Sequence, residues 1–250
     1  MAHHHAHQAQ LHAMQLAIIV LLAIATTPAT ALADCGRDGI TILGSPDEHD
    51  DACEAVGEVI GHFADGGLVI DLRVTIRFQP SVAIERDGDE AASPANGEPR
   101  LASGFYHVAR REIWMTRSTS VWAHRRRPWN LPWDRQLALS ILKHEIVHAI
   151  IYQLLGADHR KLPRAWHEAL AYAVQIELMD ADLRTRVLAQ YPRRDAFSST
   201  LHVNDIVYGI DPDSFAVAAY WTYVQGGRMA FLRRAIGLQF EMIDMDHMPP

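Results

Sequence analysis

Hydrophobic and polar positions follow two different rhythms in the first half of the chain. From Asp50 to Ala64 the apolar residues Ala52, Val56, Val59, Ile60 and Phe63 recur at helical spacing, and Gly66-Gly67 supplies a stop. From Leu68 to Gln79 the pattern alternates. Ile70, Leu72, Val74, Ile76 and Phe78 face one way and Asp71, Arg73, Thr75 and Arg77 the other, which predicts a half-buried strand. Residues 85–100 are polar and carry Gly and Pro, so an exposed loop is expected there. Residues 104–116 predict one or two further strands.

A third pattern begins at Asp134, a good helix N-cap with Trp133 before it as a hydrophobic staple. The predicted helix runs from Arg135 to Leu155 and stops at Gly156. Leu137, Leu139, Ile141, Leu142, Ile146, Val147, Ala149, Ile150, Ile151, Leu154 and Leu155 leave it almost no polar face, so it should be buried. It nevertheless carries His144, Glu145 and His148, an H-E-x-x-H motif. Positions i and i+4 share a helix face, so both imidazoles can point at one metal ion. Glu145 then leans over the place where a metal-activated water would sit, the arrangement of zinc-dependent hydrolysis. Burying these three groups without compensation would cost on the order of several kcal/mol, comparable to a domain's net stability. A metal compensates them most directly.

Beyond a connector (157–162), Pro163 introduces a second helix expected to run from Arg164 to about Gln190. It contains Trp166-His167-Glu168-Ala169-Leu170-Ala171, with Glu168 placed 20 residues after His148. H-E-x-x-H followed by a glutamate on the next helix resembles the gluzincin metallopeptidases, and the W-x-E-x-L-A context is similar to the peptidase-MA-like branch. The resemblance covers residues 134–178 closely. It implies one Zn²⁺ held by His144, His148 and Glu168, with Glu145 as general base and proton shuttle. It also implies an α+β, zincin-like fold: a small N-terminal α/β lobe (34–133) with a mostly antiparallel sheet, then a mainly helical lobe (134–250), together one domain. The strand region 104–116 would hold the substrate backbone. An oxyanion donor would come from a later segment, where His202, Tyr208, Tyr220 and Tyr223 are candidates. Tyr220 is the choice, on a helix expected from Ser214 to Gln225, before Gly226-Gly227 and a last helix at Arg228–Ile236. His167 rivals Glu168 as a ligand but is rotated about 100° from it on a helix, so only one can face the metal. The chain departs from the family at Ala169, where glycine is common, and at Tyr172, where some members carry an acid that orients a ligand histidine.

Composition narrows the setting. The chain is 49% hydrophobic and 21% charged, ordinary for a globular protein, and its formal charge of −7 argues against a dedicated nucleic-acid binder. Arg125-Arg126-Arg127 reads as a solvated loop. Residues 1–33 have the form of a signal peptide: an apolar run from Leu16 to Ala25, a break at Thr26-Thr27-Pro28, and Ala31-Leu32-Ala33 before the cleavage point. No Lys or Arg precedes the apolar run, and the His-rich leader (1–13) is kept out of the metal argument. Secretion or a periplasmic location is expected, with no stable membrane span after cleavage; an N-terminal membrane anchor is the alternative. Cys35 and Cys53 would pair in an oxidising compartment. Lipid attachment at Cys35 is disfavoured by Asp34, where a small residue is wanted. The sequence therefore points to an exported zinc-dependent hydrolase acting on peptide or protein substrates. The alternative is a zinc-stabilised binding domain of the same fold that has lost turnover.

Overall fold

Ser45 opens the first helix. Its side chain accepts from Glu48 N–H while the Glu48 carboxylate accepts from Ser45 N–H, and Pro46 follows at the first turn. The computed structural model describes residues 35–83, 101–125 and 127–238. The expected export segment, the loop at 85–100 and the C-terminal tail lie outside the described residues. Helix α1 (Pro46–Asp65) buries Ala52, Ala55, Val56, Val59, Ile60 and Phe63, the face its periodicity predicts. Cys35 and Cys53 form a disulfide that ties the segment before strand β1 (Ile40–Leu43) to α1.

The protein is α+β. Strands β2 (Val74–Gln79), β5 (Gly104–His107) and β6 (Glu112–Thr116) join β1 in a sheet of order β1-β2-β6-β5. A separate pair, β3 (Val82–Ala83) and β4 (Leu101–Ala102), lies between β2 and β5 in sequence. The expectation of a mostly antiparallel sheet is corrected. The β1–β2 and β2–β6 pairs are parallel, and only β5–β6 is antiparallel. The reason is connectivity: α1 carries the chain back along the sheet between β1 and β2, which makes a parallel pair, whereas a short turn joins β5 to β6. The predicted strand at 68–79 is also shorter than its alternation, since pairing begins at Val74.

After a short helix α2 (Val121–Arg125) comes α3 (Arg135–Leu155), whose limits match those read from sequence. Asp134 caps it by accepting from Leu137 N–H at 2.8 Å, and Gly156 ends it with φ at 53°. Fourteen of its 21 residues are buried, because it packs against α1, β5, β6 and the next helix at once. By length and composition Arg135–Lys161 is apolar enough to cross a membrane, but 78% of its 18-residue apolar window is buried inside the fold, so it is the core helix.

Helix α4 (Arg164–Glu177) lies against α3 and ends earlier than expected. Asp180 starts a new helix there, α5 (Ala181–Gln190), by accepting from Asp182 and Leu183 N–H. Helices α6 (Asp205–Ile210), α7 (Pro212–Gln225) and α8 (Met229–Ile236) complete the fold, with α7 packed along α4.

Candidate metal centre

Two adjacent helices build the site. On α3, His144 and His148 stand one turn apart with ring centroids 4.7 Å from each other and Nε2 atoms 3.0 Å apart. A turn at Gly156–Lys161 reverses the chain so that α4 lies on α3, and Glu168 enters from α4. Its Oε2 is 3.5 Å from His144 Nε2 and 3.8 Å from His148 Nε2. Among the described residues this is the one group of three or more His, Cys, Asp or Glu side chains whose donors converge closely enough for a metal ion.

The donor set could hold a metal ion, and its spacing can be compared with that of a zinc site. Zinc bonds of 2.0–2.2 Å at tetrahedral angles separate neighbouring ligands by about 3.4 Å. The three separations, 3.0, 3.5 and 3.8 Å, bracket that value. One carboxylate and two imidazole nitrogens aimed at a single point also call for a cation, because a shared proton satisfies only one of the pairs. Burial alone would push the Glu168 carboxyl up, but the two imidazoles outweigh it and hold it well below the ordinary carboxylate range.

Glu145 lies beside the donors. Burial pushes its carboxyl up to about 7; His148 opposes that rise, Glu168 adds to it, and the Tyr106 N–H on β5 donates to the carboxylate and lowers it. Strand β5 crosses the group very closely. A Cβ at Gly104 would sit 2.8 Å from Glu145 Cγ and 2.9 Å from Met115 Sδ, so only glycine lets the strand approach this far. β5 is also the last strand in the sheet order, as an edge strand near the site requires.

His167 is buried but points away from the donors. Its ring stacks on Tyr152 at 4.5 Å, and its Nε2–H donates to the His159 carbonyl at 3.4 Å. Burial, and then the neighbouring His148, push it down to about 4. Tyr172 stands where an orienting acid was missed in the sequence, and its ring packs 4.4 Å from that of His144. Trp129 meets Tyr172 edge-on at 6.3 Å, with its own backbone left-handed (φ 51°) and its N–H donated to Asp213 at 2.9 Å. An aromatic wall thus positions the His144 ring, while His144 Nδ1 has no hydrogen-bond partner among the described residues.

Tyr220, the chosen oxyanion donor, is not brought to the metal donors. Tyr220 is buried beside Trp221, in the field of Glu177, Arg184 and Arg228. Glu177 is nine residues beyond Glu168, about 13 Å further along α4, so α7 delivers Tyr220 to the wrong end of that helix. Tyr223 bonds His62 at 2.9 Å, and His202 pairs with Ser198. Tyr208 on α6 is the candidate that reaches the site: burial pushes its phenol up and the adjacent Glu168 carboxylate pushes it further. Its ring lies 6.4 Å from that of Tyr172. Two further residues near Glu168, Tyr152 and Arg164, carry no recognisable sequence signal.

Residues 40–238 match the model of a family of unknown function, DUF6639. The chain belongs to that family. The matched span runs from β1 to the end of α8 and contains every residue of the centre. No curated protein and no solved structure matches the chain.

Proposed function

We propose that this DUF6639 member is an exported zinc-dependent hydrolase of the gluzincin kind, cleaving peptide bonds. One observation carries the reading. Two histidines and a glutamate converge inside a buried helix pair, and a second buried glutamate stands next to them under an edge strand. Bound by His144, His148 and Glu168, Zn²⁺ would activate a water and polarise a carbonyl. Glu145 takes the proton from the attacking water and returns it to the leaving amine, a role suited to a carboxyl raised to about 7. The outer edge of β5 aligns the substrate backbone, and Tyr208 donates to the developing oxyanion. The Cys35–Cys53 disulfide and the apolar run at 16–25 support an oxidising, exported setting.

Glu145→Gln is the test. Zinc-loaded wild type should cleave unstructured peptides, and the variant should keep its zinc and its fold while losing about 10²–10⁴ in rate. A second reading has its own support: among the described residues His144 Nδ1 lacks the acidic partner that tunes a ligand histidine. In that reading zinc is structural and the domain binds without turnover. It gains if wild type cleaves nothing while zinc removal lowers its melting temperature.

A further inference from the structure

Arg164 opens α4 one turn before Glu168, on the same helix face. Its guanidinium lies over the Tyr208 ring, with Cζ 5.3 Å from the centroid. That contact fixes the head of a long, solvent-exposed side chain beside the tyrosine that reaches the metal donors. Glu168 faces His144 and His148 instead, and among the described residues Arg164 has no ion pair. A line of ring contacts connects the same region to the edge strand. Tyr106 of β5 packs on Tyr152 at 5.6 Å, and Tyr152 stacks on His167 in the first turn of α4. A chain laid along β5 is thereby led toward the start of α4.

We propose that Arg164 is a specificity residue that receives a carboxylate of the substrate, held in position by its stack on Tyr208. Three features carry this: a cation with no acidic partner among the described residues, a planar fork that matches a carboxylate in two hydrogen bonds, and a place one turn from the reacting centre. The inference rests on the hydrolase reading and adds the substrate class to it. The carboxylate has two sources, the C-terminus of a peptide or an internal Asp or Glu side chain.

The test uses the full-length Glu145→Gln protein, so that binding is read without turnover. Four versions of one peptide are titrated by calorimetry: C-terminus free or amidated, and an internal Glu retained or changed to Gln. The same peptides are titrated against the protein that also carries Arg164→Gln or Arg164→Lys, with circular dichroism and zinc content as folding controls. A preference of about tenfold or more for one carboxylate source is expected. It should vanish with Arg164→Gln and survive in part with Arg164→Lys. Preference for the free C-terminus assigns that source; preference for the internal Glu assigns the other. Equal affinity for all four peptides, no binding at all, or an undiminished preference in Arg164→Gln overturns the proposal. Turnover by wild type, measured in parallel, separates the two readings. Cleavage without carboxylate preference removes this inference alone, and an Arg164-dependent preference without cleavage removes the peptidase reading alone.

Discussion

Tyr208 and Tyr220 lie on neighbouring helices near the end of the chain, yet only Tyr208 comes near Glu168. If Tyr208 is the oxyanion donor, Tyr208→Phe should lower kcat about 10²-fold with little change in melting temperature, and Tyr220→Phe should leave kcat near wild type. Peptide cleavage assays on both variants decide between them. His62 offers a check that does not involve the centre. Its Nε2 is 2.9 Å from Tyr223 Oη, and burial holds the imidazole below its ordinary value, against the fields of Glu177 and Asp65. The unfolded chain therefore takes up a proton below about pH 6.5 that the folded protein resists. The stability tied to neutral His62 is complete above that pH and is lost as the pH falls toward the depressed folded value. Melting temperatures in chelator between pH 7.5 and 5.5 should fall less steeply for His62→Gln than for wild type. At this scale His144 and His148 were legible because their i, i+4 spacing puts them on one helix face, whereas Glu168 was expected only through the resemblance to the gluzincins. Tyr208 was not. It depends on a six-residue helix capped by Asn204, and on where that helix docks.

Helix limits were readable for α3, where a cap stands at each end. Asp134 and Gly156 bound α3 as read, whereas α1 was read from Asp50 and starts at Pro46, behind the unread capping box of Ser45 and Glu48. The end of α4 was missed because Asp180 opens a new helix within what looks like one continuous pattern. Strand direction was missed for a deeper reason. Alternation reports which face is buried but not which strand lies alongside, and β1 has only four residues. The Cys35–Cys53 bridge was anticipated from cysteine count and compartment, and it closes a loop with a separation of 18 residues. Its loss should cost about 3 kcal/mol. Chemical denaturation of the Cys35→Ser, Cys53→Ser double variant measures this, and a loss confined to a few tenths would mean the bridge does not constrain the folding unit.

The whole molecule organises its chemistry around one buried helix. α3 fills the space between α1, the sheet and α4, so the same burial that forms the core also removes His144, Glu145 and His148 from water. The edge strand β5 passes over Glu145 from one side, and α4 brings Glu168 from the other. Nothing in composition or charge foretold this convergence; the motif and its buried setting did. The proposed chemistry requires these two helices to hold one zinc ion. X-ray absorption at the zinc edge tests it most directly, using full-length protein in which His3, His4, His5, His7 and His12 are replaced by Gln. One zinc per chain is expected, with two imidazole ligands and oxygen donors at about 2.0–2.2 Å, and the bound metal should be lost in His148→Ala and Glu168→Ala. Zinc that disappears with the leader histidines, or that survives both substitutions unchanged, would contradict it.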